Sequence, residues 1–361
     1  MSRVWFIQWV MQVGIDSFVE TVLGSKQPRG ELGAQRVREL LEEAELADRS
    51  GIDLFAIGEH HREEYIASSP AVLLAAVAAQ TRNIRLSSAV TVLSSDDPVR
   101  VFQDFATLDL ISNGRAEIIV GRGSFIESYP LFGYDLKHYD ELFAEKLDLL
   151  LALREETYVH WSGKHRAELT GQGVWPRPLQ AKLPIRLGVG GTPASFVRAG
   201  TLGLPLTVAI IGGEPHRFRP LIELYREAGK RAGHSPDDLD VAVHALGFVA
   251  DSTEEAAETL WPAYSATFTR IGRERGWPPA TRAAYDAQRG ESGAYFIGDA
   301  ETVARKMLRV SDALGSVSRV SLMMSGGPLP HAKLLRAIEL LGTKVRPLVN
   351  VVHLPQSVVG A

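Results

Sequence analysis

The chain contains no cysteine. That absence removes disulfides, thiolate metal ligands and a thiol nucleophile together, and it fits the cytoplasmic location expected here. A dense basic run is also missing. The 39 Lys and Arg face 43 Asp and Glu for a formal net charge of −4, so nothing marks a nucleic-acid binder. No run approaches the roughly 18 apolar residues of a membrane helix, so no helical membrane span is expected. Residues 1–11 place one arginine before a short apolar run without a small-residue cleavage site. This stretch reads as a mobile extension or an upstream start, with Met11 the functional beginning, rather than as a signal peptide. No internal repeat, low-complexity tract or linker divides the 361 residues, and one domain over 1–361 is expected.

What the chain does have is 45% hydrophobic residues arranged in alternating short and long apolar segments. Strand-like runs fall at 12–17, 54–58, 84–92, 116–120, 185–189, 206–211, 240–250 and 319–323. Several are apolar without alternation, as parallel strands buried on both faces should be. Helical stretches lie between and after them, at 35–50, 70–81, 99–111, 139–153, 194–202, 218–232, 254–271 and 331–341. Start signals agree: Ser69 precedes Pro70, Thr192 precedes Pro193, and Ser252 or Thr253 precedes Glu254. Such βα units on one chain most simply close into an α/β (β/α)8 TIM barrel, with an open doubly wound sheet as the structural alternative. Two stretches, 155–183 and 272–298, exceed a short connection and are expected to be insertion loops serving as lids.

Barrel active sites sit at the C-terminal ends of the strands, so the residues there carry the functional reading. Gly58-Glu59-His60-His61 follows the second strand. Adjacent side chains at a strand end point in opposite directions, so one imidazole reaches the mouth and can handle protons; taken alone, the pair is equally a solvated polar loop. An HExxH spacing is absent and no metal site is expected. Gly121-Arg122-Gly123-Ser124 follows the fourth strand, where bare backbone and a guanidinium fork suit a phosphate, or else a turn with a surface ion pair. Gly190-Gly191-Thr192-Pro193-Ala194-Ser195 opens a helix after the fifth strand, exposing N–H groups at its positive end. The third strand ends in small and apolar residues around Ala89-Val90, which suit a flat aromatic ligand or a plain core strand.

Taken in this order, the segments resemble the bacterial-luciferase-like family of flavin-dependent monooxygenases over nearly the whole chain. The resemblance is carried by Gly58-Glu59-His60-His61 and by Val92-Leu93 through Pro98-Val99-Arg100. Further matches are Leu108-Asp109-Leu110-Ile111-Ser112-Asn113-Gly114-Arg115, Gly121-Arg122-Gly123, Tyr139-Asp140-Glu141-Leu142-Phe143, Pro176-Arg177-Pro178 and the run from Gly298 to Lys306. It implies a luciferase-like barrel using reduced FMN and O2 to oxygenate a small organic substrate, with FMN supplied by a separate flavin reductase. By the same resemblance, His60 lies by the reactive edge of the flavin. Ala89-Val90 is a cis peptide beneath its ring. Arg122, Gly123 and Ser124, with Gly190, Gly191, Thr192 and Ser195, hold its phosphate. Gly121 and Gly191 depart from the luciferase pattern, where a cysteine and an acidic residue stand, which argues against luminescence and not against flavin use. A homodimer through the apolar helix 70–80 is expected. A deazaflavin-dependent hydride transferase and a non-catalytic flavin-binding protein are the alternatives.

Overall fold

The computed structural model describes residues 10–324 and 329–350. Residues 1–9 of the expected extension lie outside them, while Met11 is buried and its backbone N–H donates to Asn350 Oδ1 at 2.8 Å.

The barrel strands are β1 (Gln12–Ser17), β2 (Leu54–Ile57), β3 (Arg85–Ser88), β4 (Ala116–Gly121), β5 (Ile185–Val189), β6 (Leu206–Ala209), β7 (Val241–Val249) and β8 (Arg319–Met323). All neighbours are parallel, β8 pairs with both β1 and β7, and β7 pairs with β6, so the sheet closes into a barrel. The open-sheet alternative is excluded. The outer helices include α1 (Arg29–Arg49), α2 (Pro70–Gln80), α3 (Pro98–Ile111), α4 (Tyr139–Glu155), α5 (Pro193–Thr201), α6 (Arg219–Ala232), α7 (Thr253–Arg275), α8 (Ala300–Leu314) and α9 (His331–Leu340). Among the described residues no helix is long and apolar enough to cross a membrane.

Charged side chains fill the lumen at the N-terminal ends of the strands. Arg319 grips Glu117 through two bonds of 2.7 and 3.2 Å and reaches Gln12 at 2.9 Å, while Arg186 pairs with Asp240 at 2.6 Å. Buried charges survive only when paired and hydrogen-bonded, and here each guanidinium has such partners. This layer closes one end of the barrel and leaves the other end for a ligand.

Four expectations need correction. The single strand expected over 84–92 is broken: β3 ends at Ser88 and Thr91–Val92 pairs separately with β4, while the cis Ala89–Val90 peptide that the resemblance implies is present between them. Helix α1 starts at Arg29 rather than residue 35, because Gly30 and Gly33, poor helix formers, disguise its first turns. The 155–183 excursion is not a bare loop. It folds into an antiparallel hairpin of Tyr158–Trp161 with Leu169–Gly173, held along α4 by the Glu145 carboxylate, which accepts from Lys164 N–H (2.7 Å) and His165 N–H (2.9 Å). The 272–298 excursion likewise contains the end of α7, a helix at Arg282–Arg289 and a short strand, Phe296–Gly298, paired with β7. Lys306 Nζ of α8 donates to the carbonyls of Gln288, Arg289, Gly290 and Tyr295, which fastens this segment to the barrel.

Candidate active site

A cavity of about 540 Å³ opens at the C-terminal ends of the strands. Its shelf is the Ala89–Val90 peptide, and the neighbouring strands make room for it by omitting side chains. A Cβ on Gly121 or on Gly188 would stand 2.7 Å from a Val90 methyl, closer than carbon atoms pack. A Cβ on Gly58 would lie 2.9 Å from the Ala89 carbonyl oxygen and collide with Phe18. These glycines are bare because the shelf occupies their space.

His60 and His61 part as strand-end geometry requires. His61 turns away and meets the Glu59 carboxylate at 2.8 Å, while the other Glu59 oxygen accepts from Val92 N–H at 2.9 Å. Glu59 therefore ties the end of β2 to the segment beyond the shelf, a role that the residue's place in a polar string does not reveal. His60 lines the cavity, stacked on Phe18 with centroids 4.3 Å apart and edge-on to Phe125 at 4.6 Å. Burial, with the positive charges of Arg62 and Arg275 adding to it, pushes the His60 pKa down to about 3. The expectation of an imidazole poised near neutrality is thus corrected: His60 is uncharged over the whole physiological range.

Across the mouth, Arg122 donates to Ser195 Oγ at 3.2 Å, to Thr192 Oγ1 at 3.5 Å and to Asp140 at 2.5 Å. Tyr139 lies under the guanidinium, 5.1 Å from ring centroid to carbon, and its hydroxyl donates to the Gly123 carbonyl at 2.9 Å. Thr192 occupies the N-cap position of α5 but its side chain makes no cap bond; Pro193 carries no N–H and Ser195 N–H donates to the Thr192 carbonyl at 3.0 Å, which leaves the Ala194 N–H open at that helix start. Ser69 likewise caps nothing, whereas Ser252 Oγ accepts from Glu255 N–H. No protein atom lies within 4 Å of the space a Cβ would fill at Gly190 or Gly191, which leaves the approach open. Arg122, Gly123, Ser124, Gly190, Gly191, Thr192 and Ser195 all line this one corner of the cavity. Together they present a guanidinium, two hydroxyls and a helix N-terminus, a donor set that fits a phosphate.

Of the two expected lid stretches, 272–298 reaches the remaining wall through Arg275 and Trp277, and 155–183 does not. No residue of 155–183 lines the cavity; Phe268, Ile271, Arg275 and Trp277, from the end of α7 and just beyond it, do. Arg275 donates to the Ser124 carbonyl at 2.9 Å, joining this wall to the loop after β4. Sequence reasoning also missed two inward polar residues, Asp16 of β1 and His244 of β7, whose side chains meet 3.0 Å apart. Each sits singly in an apolar strand pattern, so only closure of the barrel reveals the pair. Outside the cavity, His138, Glu141 and His165 bring three potential ligand atoms within 4.8 Å of one another, but Lys164 Nζ already holds the same Glu141 oxygen at 3.0 Å.

A sequence profile of the luciferase-like monooxygenases matches residues 14–316. An N-acetyl-S-alkylcysteine monooxygenase of Bacillus subtilis is 30% identical over 236 residues, 63% of this chain and 66% of its own length. Among solved structures, the monooxygenase RslO1 from Streptomyces bottropensis superposes with a TM-score of 0.79 at 24% identity, covering 93% of this chain and 99% of its own. The oxygenating constituent of 3,6-diketocamphane monooxygenase from Pseudomonas putida, solved with FMN, gives 0.75 at 20% identity over 94% and 98%. A secondary alcohol dehydrogenase dependent on F420, a deazaflavin, gives 0.72 at 19% identity over 94% and 99%.

Proposed function

Because the chain belongs to the luciferase-like monooxygenase family, and so to the oxidoreductases, we propose that it is an FMN-dependent monooxygenase that oxygenates a small organic substrate. The observation that carries this reading is the meeting of Arg122, Thr192 and Ser195 at one end of a cavity whose adjoining wall is the bare Ala89–Val90 shelf. A phosphate at the donor corner and a flat ring over the shelf fit those two surfaces. Arg122, Gly123, Ser124, Gly190, Gly191, Thr192 and Ser195 would hold the phosphate, and Ala89 and Val90 would support the ring. Reduced FMN, when bound, supplies the electrons that activate O2 for transfer of one oxygen atom to the substrate.

The chain's own residues supply position, dryness and hydrogen bonding at the reacting groups. Phe18, Phe125 and Phe268 keep bulk water from the mouth, where every remaining electrostatic contact is strengthened. His60, uncharged and packed between Phe18 and Phe125, offers ring nitrogens that hydrogen-bond the reacting groups without a standing charge beside the reaction. Electron delivery falls to a separate flavin reductase. A homodimer through α2 completes the proposal: Val72 on its outer face is 70% exposed while Leu74, Val77 and Ala78 pack inward.

One observation favours a second reading, hydride transfer with a deazaflavin: the F420-dependent dehydrogenase superposes almost as well as the FMN-bound oxygenase. The test is to supply a flavin reductase, NADH and 18O-labelled O2 with a panel of small ketones and thioethers. Label appearing in a product supports oxygenation. Reduction of a panel ketone to its alcohol at the expense of added reduced deazaflavin, the hydride going to the carbonyl carbon and a proton to its oxygen, with no label incorporated, would replace the reading by hydride transfer.

A further inference from the structure

The Asp16–His244 pair lies on the wall of the cavity away from the anion corner. In the closed ring of strands β7 stands opposite β3, so His244 looks across the mouth toward the Ala89–Val90 shelf, and Asp16 reaches it from β1 over Ser321 of β8. His244 Nε2 is 3.1 Å from Asp16 Oδ1 and 3.0 Å from Oδ2. Asp16 is 3% exposed, and its Oδ2 is buried without a hydrogen-bond partner of its own. The other ring nitrogen, Nδ1, bonds to no described residue, and His244 lines the cavity.

The surroundings sharpen this. The inward neighbours from β2, β6 and β8 are uncharged: Leu54, Ala56, Thr207, Ala209, Ser321 and Met323. The other ionisable groups lining the cavity, Glu20, Glu59, His60, Tyr65, Arg122, Tyr139 and Arg275, stand on loops or helices beyond the strand ends. Burial by itself would lower the His244 pKa, and the Asp16 carboxylate outweighs it and raises the value above the ordinary one. An ion pair buried on an otherwise uncharged wall stabilises a fold no better than packed hydrocarbon would. Its presence there, with a second ring nitrogen on the cavity side, marks a group placed to meet a ligand.

We propose that Asp16 and His244 orient the substrate: His244 hydrogen-bonds through Nδ1 to a carbonyl or phenolic oxygen of an otherwise apolar organic molecule, and Asp16 positions the ring. This rests on the reading of the cavity as the oxygenation site and names the class of molecule it takes. His244 touches the substrate; Asp16 is the positioning residue behind it. A purely hydrocarbon molecule of the same shape gains nothing from the pair, so the pair selects for the oxygen.

The experiment uses 19F NMR on FMN-loaded protein with two probes, 4-fluorophenol and fluorobenzene, which differ by the oxygen alone. Wild type is expected to bind 4-fluorophenol more tightly. His244→Gln should weaken that probe roughly ten- to hundredfold, the loss of one charge-assisted bond, while fluorobenzene stays within about twofold. Asp16→Asn should shift the pH at which the bound phenol ionises, a change that a merely structural residue would not cause. The double variant, matched in shape and uncharged, guards against a His244→Gln protein that fails to fold. Equal affinity for the two probes in wild type, or an equal loss of both in His244→Gln, overturns the proposal. Flavin absorbance in the same tubes separates the two readings. Normal FMN loading without probe discrimination removes the pair's role alone, and discrimination in a protein that takes up no FMN removes the flavin reading alone.

Discussion

At the residue scale the site divides into groups that hold and groups that react, and each makes a distinct prediction. Arg122 donates to two hydroxyls at the anion corner, so Arg122→Ala should weaken FMN roughly 10- to 150-fold, the range of a charge-assisted bond. Riboflavin, which lacks the phosphate, should bind both proteins alike by fluorescence titration; equal weakening of both ligands would mean that Arg122 holds the ring or the fold. His60→Ala should keep FMN affinity and lose about 10²–10⁴-fold in turnover. Because the His60 pKa is held down to about 3, the acid side of the wild-type pH profile should show no fall with a midpoint near 6.5. A fall there that vanishes in His60→Gln would contradict the burial argument. Most of these residues were legible in the sequence, since glycines beside an arginine and a histidine pair at a strand end are local patterns. Asp16 and His244 were not legible, because 228 positions separate them and the contact exists only once the barrel closes.

At the element scale, the alternation of apolar runs was sufficient to find every barrel strand, and the errors cluster where tertiary contacts override local pattern. The break in the strand after Ser88 goes together with bare space at Gly121 and Gly188, which no local window contains. The 155–183 stretch read as a lid because its glycines and prolines suggest a loop, yet backbone bonds to Glu145 fold its hairpin against α4 and away from the cavity. The joint between α1 and α9 carries a pH prediction. Glu43, with Glu42, pushes the His331 pKa up to about 9, Nε2 lying 2.9 Å from Glu42. A raised folded pKa means that this contribution is fully present below about pH 6.5, the unfolded value, and is lost as pH rises through about 9. Solvent screening of so open a pair limits it to about 1 kcal/mol or less. Urea midpoints at pH 6 and pH 10 should therefore differ more for wild type than for His331→Gln, and identical differences would show that the contact contributes nothing.

At the scale of the whole molecule, two features follow from how the barrel is finished. The ion pairs of Glu117, Arg319, Arg186 and Asp240 close its N-terminal end, and the glycine-rich strand ends leave the C-terminal end hollow, so the cavity is built into the strand sequences. On the outside, α2 leaves Val72 open to solvent on a helix composed almost wholly of apolar residues. Light scattering at micromolar concentration should give a dimer, and Val72→Glu should shift it toward monomer; a wild-type monomer would remove α2 as an interface. The central claim is that the cavity takes reduced FMN. It is tested most directly by titrating the protein anaerobically with reduced FMN, reduced riboflavin and reduced deazaflavin coenzyme, following fluorescence or retention on a sizing column. The account predicts saturable binding of reduced FMN, at least tenfold tighter than riboflavin, with the deazaflavin weaker still. Preferential binding of the deazaflavin, or no discrimination between FMN and riboflavin, would contradict it.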